Sequence, residues 1–350
     1  MSENTKTNNT IYVPDAPAVA GLAFRGFRGE EDFPAMLAVI NGCKYADGIE
    51  RNDTLEQISR NYRHLVNSDS AQDMLFAEVN GEVVGYGRLL WYQELSGLYL
   101  YQHFNFLLPQ WRGQGIRRAM LHYNERRLRQ IAAGHPAPAV PVASGTFEGS
   151  PRAFEAWAND TETHWAGLLT EEGYRAVRFG FEMVRPDLED IPDRPLPPGL
   201  EVRPVQREHL PILWAAAKEA FRDDWGYSEQ GWDQGYANML EDPEFDPSLW
   251  QVAWDGDQPV GMVQAFIDAE QNREYGRKRG WTEGISVRRP WRRRGVAKAL
   301  IARSLRDIKQ RGMTEAALGV DADNPNGALQ LYRSMGFHVV KRHTTYRKAM

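Results

Sequence analysis

The sequence predicts an α/β protein that contains two copies of one domain, each built on a mixed sheet. Three observations indicate this. Strand-like and helix-like segments alternate along the chain. Several patterns recur at offsets of roughly 163 to 180 residues, which is typical of a duplicated domain and not of a solenoid of short repeats. A proline-rich stretch separates the two sets of patterns.

The composition is that of a globular protein and excludes several classes of function. The chain has 350 residues, which suits two domains, and its formal net charge of −5 gives no overall basic field for nucleic acid. Cys43 is the only cysteine, which excludes an intrachain disulfide and a cysteine-based zinc site. The eight histidines are scattered without i, i+3 or i+4 pairs, so no metal site is predicted.

No segment predicts a membrane span or a secretion signal. No apolar run approaches the roughly 18 residues that a bilayer requires, and "MSENTKTNNT" lacks the apolar core of a signal peptide. We therefore expect a cytoplasmic protein with neither a membrane nor a nucleic-acid partner. Residues 1–20 are polar and then rich in proline and alanine, which predicts a flexible N-terminal tail.

The proline-rich stretch 186–199 predicts a linker, because proline resists both helix and central strand. The first domain is then 21–185 and the second is 200–350. "VNGEVVGY" in the first and "WDGDQPVGM" in the second each predict a hairpin, since an Asn-Gly or Asp-Gly turn joins two apolar runs. "LPQWRGQGIRRAML" and "RRPWRRRGVAKALI" each predict a strand end, a loop and a helix.

The loop of the second domain predicts an anion site made from the main chain. "WTEGISV" (281–287) is strand-like, and from Val296 apolar residues recur at helical spacing until Gly312. Between them "RRRGVA" turns tightly, so successive amides point outward at the positive end of a helix dipole. The alternative is a solvated basic turn, and the strand–loop–helix context favours the anion site. A strand (315–322) and a helix (325–337) follow.

This loop resembles motif A (R/Q-x-x-G-x-G/A) of the GNAT (Gcn5-related N-acetyltransferase) superfamily, and "DNPNGALQLYRSMGF" resembles its motif B. Both motifs lie in residues 200–350, whereas 21–185 resembles the family less closely. The layout is similar to that of tandem members such as the mycothiol synthases. The resemblance implies, in each domain, a mostly antiparallel sheet flanked by helices, whose fourth and fifth strands splay apart to form an acyl-CoA cleft.

The resemblance also implies roles for residues of the second domain. The phenol of Tyr332 would protonate the leaving thiolate, and Glu283 would take the amine proton or bind a cationic substrate. Alternation along the strand places Glu283, Ile285 and Val287 on one face, and shielding by Trp281 would raise the pKa of Glu283. The alternatives are a core aromatic for Tyr332 and an exposed edge carboxylate for Glu283. The residues implied to bind acetyl-CoA are Ile285, Val287, Arg292, Arg293, Arg294, Gly295, Val296, Ala297, Lys298 and Asn324.

The acceptor site is expected where "FRDDWGY" (221–227) falls, because the first helices of the family wall that site. Asp223, Asp224, Trp225 and Tyr227 would hold an amine by charge and cation–π contact. The alternative is that these residues cap a helix and pack a lid.

The first domain departs from the family pattern. Its corresponding cofactor-binding candidates are Leu107, Arg112, Gly113, Gln114, Gly115, Ile116 and Arg117. Arg117 stands where the family has a small residue, and would either crowd the pyrophosphate or help to bind it. Leu169 stands where the second domain has Tyr332, and His103, opposite Glu283, is either a base or structural. We expect this domain to have lost the chemistry and either to keep CoA bound or to buttress its partner.

The resemblance therefore implies an enzyme that moves an acetyl group from acetyl-CoA to a primary amine by direct attack, in the second domain and without a metal. The alternative is a non-catalytic acyl-CoA-binding or interaction protein of the same fold. The acceptor stays open among aminoglycosides, polyamines, amino-acid derivatives, thiol-precursor amines and protein N-termini. A homodimer is compatible with the sequence, which contains no feature that decides it.

Overall fold

The computed structural model describes residues 9–136, 146–242 and 245–350. These residues form two compact units. The first unit contains the described residues up to Val177 together with Thr345–Met350, and the second contains Arg178–Thr344. The predicted first domain, 21–185, extends past Val177 into the second unit, and the predicted second domain, 200–350, includes the last six residues, which belong to the first unit.

The first unit is a mixed sheet with helices on it. Its elements are β1 (Leu22–Arg25), α1 (Phe33–Asp47), α2 (Leu55–Arg63), β2 (Met74–Val79), β3 (Glu82–Gln93), β4 (Tyr99–Leu107), α3 (Ile116–Ala133), β5 (Arg152–Asn159) and α4 (Thr163–Glu171). The strand order is β1-β2-β3-β4-β5, and only β4 and β5 run parallel. Their pairing ends at Gln102–Glu155, although both strands continue beyond it.

Local sequence signals account for several of these elements. Asn80 and Gly81 both have positive φ, as the predicted hairpin turn between β2 and β3 requires. Thr54 begins α2 with a capping box, since its hydroxyl accepts from the amide of Gln57 at 3.1 Å and the Gln57 side chain accepts in return.

The N-terminal segment packs on the first unit from Thr10 onward. Ile11 donates a backbone hydrogen bond to the carbonyl of Phe24 at 2.8 Å, and Val13 is buried in the same apolar cluster as Phe24. The prediction of a flexible tail is therefore wrong for this part, because its apolar residues find a place in the core. Residues 1–8 lie outside the described residues.

The second unit repeats the plan of the first. Its elements are β6 (Arg175–Arg185), β7 (Glu201–Val202), α5 (Leu210–Phe221), α6 (Glu229–Leu240), β8 (Gln251–Asp255), β9 (Gln258–Phe266), α7 (Ala269–Glu274), β10 (Arg279–Val287), α8 (Val296–Gln310), β11 (Glu315–Asp321), α9 (Ala328–Arg333) and β12 (His338–Ala349). The first residues of β6 and the last of β12 are counted in the first unit. The strand order is β6-β11-β10-β9-β8-β7.

The fourth and fifth strands of the second unit splay apart. β10 and β11 run parallel and are paired only from Arg279–Glu315 to Trp281–Ala317, although both strands continue. The splay predicted from the resemblance is thus present, and it leaves the β11-facing backbone edge of residues 283–287 without a strand partner. A cleft of about 560 Å³ opens at this point.

The core of the second unit lies between the sheet and α8. The residues predicted to form the apolar stripe of α8 are all buried, namely Val296, Leu300, Ile301, Leu305 and Ile308. The predicted linker 186–199 contains no helix or strand, as its prolines predict, but Leu188 is buried in this same core. The segment is therefore part of the second unit and not a free spacer.

Among the described residues, no helix combines the length and the apolar character that crossing a bilayer demands. In the same residues, no cluster of three or more His, Cys, Asp or Glu side chains could hold a metal ion.

Candidate active site

A β-bulge shapes the strand that lines the cleft. Glu283 pairs with Gln264 and Ser286 pairs with Met262, so three steps along β10 match two along β9. Gly284, inside the bulge, has a φ of +56°, which glycine adopts without the cost of a side chain. The bulge reverses the alternation of side chains, so Val287 lies on the opposite face from Glu283. The predicted common face for Glu283 and Val287 is therefore wrong, because alternation holds only in an unbulged strand.

Glu283 lies where β10 and β11 separate. The backbone N–H of Gly319, on β11, donates to Oε1 of Glu283 at 2.8 Å and fixes the carboxylate at the mouth of the splay. Burial raises the pKa of Glu283 to about 7, with a further increase from the carboxylate of Glu182, while the Gly319 hydrogen bond acts in the opposite direction. The predicted direction of the shift is confirmed, and the carboxyl group can exchange a proton near neutral pH.

Tyr332 lines the same cleft from α9. The residue is buried and its ring packs edge-on against Phe337 at 6.4 Å, so it is also a core aromatic, as the alternative interpretation held. Burial, followed by the charges of Glu283 and Asp224, raises the pKa of the phenol above its usual range. The phenol therefore stays protonated at neutral pH and can act as a proton donor.

The loop and the first turn of α8 form one wall of the cleft. Arg293 and Gly295 both have positive φ, and Gly295 precedes the helix at +89°. A Cβ on Gly295 would meet no protein atom within 4 Å, so its backbone is open to a ligand. The amides at the start of an α-helix lack intrahelical acceptors and attract anions. The cleft is lined by Arg293, Gly295, Val296, Ala297 and Lys298 from this wall, whereas Arg294 is exposed outside it.

Arg292 supports the loop. Its Nε donates to the carbonyl of Val287 at 2.9 Å, and its terminal nitrogens reach the carbonyl of Ala220 at 2.8 Å and Asp223 at 3.0 Å. Hydrogen bonds from Arg289 and Arg292 lower the pKa of Asp223 to about 2. Asp223 was predicted to hold the acceptor, but its carboxylate is committed to these two arginines, so we assign it to the support of the loop.

Of the other residues predicted for the acceptor, only Asp224 lines the cleft. Burial, with a smaller contribution from the carboxylate of Asp321, raises the pKa of Asp224 to about 6. Trp225 lies 5.5 Å from the guanidinium of Arg178, and the buried Tyr227 packs near Trp232 at 6.3 Å. These two aromatic residues fit the alternative that the segment packs a lid.

The structure adds details that the motifs did not show. Asn324 lines the cleft, and its Oδ1 accepts from the amide of Asn326 at 2.9 Å, so it braces the turn between β11 and α9. Ser286 also lines the cleft, and its buried hydroxyl has no hydrogen-bond partner among the described residues. No sequence signal singled out Ser286, because its position depends on the bulge.

The first unit contains the same arginine support. Nε of Arg112 donates to the carbonyl of Leu107 at 3.1 Å, and its terminal nitrogens bind Asp47 at 2.6 and 2.8 Å. Leu107, Arg112 and Asp47 thus correspond to Val287, Arg292 and Asp223. The aspartates were missed as partners of the arginines because each lies more than 60 residues away along the chain.

The side chain of Arg117 occupies the splay of the first unit. It is buried, donates to the carbonyl of Asn105 at 2.6 Å and lies 4.1 Å from the ring of Trp165. Asn105 is the strand position that corresponds to Ile285 in the second unit. The guanidinium of Arg117 thus takes up a backbone acceptor beside the splay, which favours the predicted alternative that Arg117 crowds the cofactor.

The rest of the first loop is also partly covered. Gly115 has a φ of +85°, like Gly295, but a Cβ there would lie 3.3 Å from Pro17 of the N-terminal segment. Gly113, Gln114 and Ile116 complete the loop, and Ile116 is buried in the core. The residues predicted to form a second cofactor site are thus present, but Pro17 leaves less space for a ligand beside Gly115.

His103 is structural. It is fully buried, and its Nε2 lies 2.8 Å from the hydroxyl of Tyr174. Burial lowers the pKa of His103 to about 3, with further contributions from Lys348 and Arg117. β3 and β4 pair without a register shift, so His103 faces away from the side of the strand that Glu283 occupies in the second unit. Leu169, where the second unit has Tyr332, is buried in the core.

Comparison with known proteins identifies the family. The profile of the acetyltransferase (GNAT) family matches residues 35–136 and residues 212–337. The chain belongs to the GNAT family. Because each unit carries its own match, the predicted tandem of GNAT domains is confirmed.

Similar proteins agree with this assignment. A mycothiol acetyltransferase of Salinispora arenicola is 28% identical over 246 residues, which cover 69% of this chain and 71% of that protein. A mycothiol acetyltransferase of Geodermatophilus obscurus is 24% identical over 309 residues, which cover 87% and 90%. A GCN5-related N-acetyltransferase from Sphaerobacter thermophilus superposes with a TM-score of 0.67 at 26% identity, over 93% of this chain and 95% of that one.

A tandem GNAT protein from the clavulanic acid biosynthesis pathway shares the fold, with a TM-score of 0.64 at 13% identity over 93% of this chain and 98% of that one. Taken together, the family match and the relatives show a tandem GNAT protein and confirm the predicted enzyme class, an acetyl-CoA-dependent N-acetyltransferase.

Proposed function

We propose that the second unit of this GNAT protein carries the chemistry, and that it transfers an acetyl group from acetyl-CoA to a primary amine. The observation that carries the proposal is the position of Glu283 and Tyr332 in one cleft, beside the splayed strands and the start of α8. One side chain can accept a proton near neutral pH, and the other retains its proton.

Acetyl-CoA would bind along the inner edge of β10. The amides from Arg293 to Lys298, at the start of α8, would hold the pyrophosphate. The backbone of Ile285 and Val287 has no strand partner on the side that faces β11. It would form hydrogen bonds with the pantetheine arm in place of that strand. Asn324 and Ser286 line the same path. Arg292 holds the loop in place, and Arg294 adds positive charge outside it.

The transfer is a direct attack with two proton movements. The amine nitrogen forms a bond to the acetyl carbon, and the carbon–sulfur bond breaks. Glu283 accepts the amine proton, either directly or through water, and the phenol of Tyr332 gives its proton to the CoA thiolate. Positioning the two substrates and donating the proton supply most of the rate.

The acceptor would enter on the face of β10 that carries Glu283. Glu283 and Asp224 both line the cleft, and these two carboxyl groups favour a cationic acceptor before its proton is removed. The relatives are named as mycothiol acetyltransferases. A thiol-precursor amine is therefore the first acceptor to assay, together with polyamines and aminoglycosides.

The test measures kcat/KM against pH for the wild type and for Glu283→Gln, with the acceptor that turns over fastest. For the wild type we expect activity to fall below pH 7, because protonated Glu283 cannot accept a proton. Glu283→Gln should lose activity by about 100-fold or more at pH 8 and lose the acid limb as well.

Glu182→Gln is the matched control. It removes the neighbouring charge that raises the pKa of Glu283 but leaves the base in place. The acid limb should then move to lower pH while the plateau at high pH is kept. Acetyl-CoA binding with no turnover across the amine panel would instead favour the non-catalytic binding protein.

A further inference from the structure

A second pocket lies in the first unit, on the face of β3 and β4 opposite to His103. It encloses about 570 Å³ between α1, α2 and the two strands. Tyr86 and Phe106 pair across the strands, as do Arg88 and Phe104, so all four side chains project from one face. A volume of this size suits a small organic ligand. The pocket is separate from the splay that Arg117 fills.

Arg88 is a cation of the pocket lining that lacks an ion-pair partner within the described residues. Its guanidinium lies 5.0 Å from the ring of Tyr62 and 5.4 Å from the ring of Phe104. Its buried Nε has no hydrogen-bond partner, and no ion pair or hydrogen bond of Arg88 exists within the part of the chain that the structure describes. A buried N–H donor without an acceptor is costly unless a ligand supplies one.

The other charged pair of the pocket is already satisfied. Nε and one terminal nitrogen of Arg51 donate to the two carboxylate oxygens of Asp53, which neutralises the two side chains. With Arg51 and Asp53 paired, Arg88 is the cation of the lining that has no carboxylate partner within the described residues. An anionic ligand is favoured over a cationic one on this ground.

Two phenols supply further donors. Tyr62 and Tyr86 line the pocket, and neither hydroxyl forms a hydrogen bond within the described residues. Burial raises the pKa of Tyr62 to about 12 and that of Tyr86 well above its usual range. Both phenols therefore remain protonated. The rest of the lining includes the rings of Phe104, Phe106 and Trp157, which suit a flat apolar body.

We propose that this pocket is a binding site for a small carboxylate with an aromatic or flat apolar body. The carboxylate binds the guanidinium of Arg88 and the hydroxyl of Tyr86, and the apolar body packs against the rings from β4. This site is independent of the proposed transfer reaction, since every lining residue belongs to the first unit.

The test is isothermal titration calorimetry on the full chain with benzoate, phenylacetate, cinnamate and 3-phenylpropanoate, each beside its neutral primary amide. We expect at least one carboxylate to bind with a Kd below about 1 mM, and its amide to bind at least about 10-fold more weakly. The proposal is overturned if none of the four carboxylates binds with a Kd below about 1 mM, or if the amide binds as tightly as its carboxylate.

Two variants connect the binding to the pocket. Arg88→Met keeps the length of the side chain and should weaken the carboxylate at least about 10-fold, because the charged partner is lost. Tyr86→Phe removes only a hydroxyl without a partner, so it should fold normally and weaken binding by about 3-fold. Arg63→Met, an exposed arginine of α2 outside the lining, should leave binding unchanged.

Circular dichroism and thermal melting check that each variant is folded. If Arg88→Met does not fold, Tyr86→Phe decides, and unchanged carboxylate binding in that variant overturns the proposal. Unchanged binding in a folded Arg88→Met also overturns it, because the ligand would then lie elsewhere. If Arg63→Met weakens carboxylate binding as much as Arg88→Met does, the proposal is also overturned, because the effect is then not specific to the pocket.

Discussion

The two units share one scaffold and differ in the side chains that surround the splay of the fourth and fifth strands. In both, an arginine after the fourth strand binds the end of that strand and an aspartate, Asp47 in the first unit and Asp223 in the second. In both, a glycine of the third strand lies against the fourth: a Cβ on Gly85 or Gly261 would meet a backbone carbonyl at 2.7 or 2.6 Å. These contacts fix the end of the fourth strand and the loop that follows it in each unit.

Two local changes separate the units. The fourth strand of the second unit has a bulge at Gly284, beside Glu283, which lines the cleft, whereas the fourth strand of the first unit pairs in regular register and His103 is buried. The position after the loop is Ala297 in the second unit and Arg117 in the first, and the arginine occupies the splay. Two GNAT domains of the same fold can therefore differ in the residues that surround the splay.

The largest expected effect comes from the loop glycines. Gly295→Glu places a carboxylate at the proposed phosphate site, so we expect acetyl-CoA affinity to fall by about 1,000-fold and activity to disappear. Gly115 has a similar backbone conformation in the first unit, and Gly115→Glu should leave acetyl-CoA affinity and activity unchanged. Native mass spectrometry would count one bound acetyl-CoA in the wild type and in Gly115→Glu, and none in Gly295→Glu. Two equivalents in the wild type would show that the first unit also binds.

An exchange of side chains between the units tests the role of Arg117. Ala297→Arg should fill the second splay as Arg117 fills the first, and weaken acetyl-CoA binding by about 100-fold. Arg117→Ala should leave activity intact but lower the free energy of unfolding by about 1–3 kcal/mol, because it removes a buried hydrogen bond and a cation–π contact. Calorimetry and urea unfolding measure the two effects. Tight binding in Ala297→Arg would contradict our account of the first splay.

The sequence predicted the features that depend on local patterns. The hairpin turns, the apolar stripe of α8 and the strand–loop–helix order all follow from turn residues and spacing, and the structure contains them. The family motifs predicted which residues surround the cleft. The direction of the pKa shift at Glu283 also followed, since a carboxyl group on a covered strand is desolvated.

The sequence could not predict features that depend on distant partners. The bulge at Gly284 depends on how β10 pairs with β9, so alternation alone placed Val287 on the wrong face. The pairing of Asp223 with Arg289 and Arg292 joins segments far apart in the chain. Likewise, the burial of Val13 and Leu188 depends on core surface formed elsewhere, so the first was assigned to a flexible tail and the second to a linker.

A pH experiment sharpens the contrast between His103 and Glu283. The pKa of His103 is about 3 in the folded chain and about 6.5 in the unfolded chain, so between these values only the unfolded chain takes up a proton. His103 therefore contributes stability that is full above pH 6.5 and is lost as the pH falls toward 3. Between pH 7 and pH 5 the loss from this group should be about 2 kcal/mol.

His103→Gln removes this titration and is the comparison for it. Urea unfolding at both pH values should show a smaller acid loss in His103→Gln than in the wild type. The variant should leave the pH dependence of catalysis unchanged, because His103 lies in the core of the first unit. A shift of the catalytic acid limb in His103→Gln would mean that the first unit takes part in the chemistry.

The smallest expected effect concerns the bulge itself. Gly284→Ala puts a side chain at a φ of +56° and a Cβ 2.2 Å from Oε1 of Gln264, which has to move. We expect a loss of stability of about 1–2 kcal/mol, and a fall in kcat of about 10-fold, because the carboxylate of Glu283 shifts from its position beside Gly319. Gly276→Ala is the matched control: its φ is +61° and a Cβ there meets nothing within 4 Å. If the two variants lose equal stability and only Gly284→Ala has a lower kcat, the bulge positions the base. If the two variants have equal kcat values, the difference between the units is assigned to Ala297 and Arg117 alone.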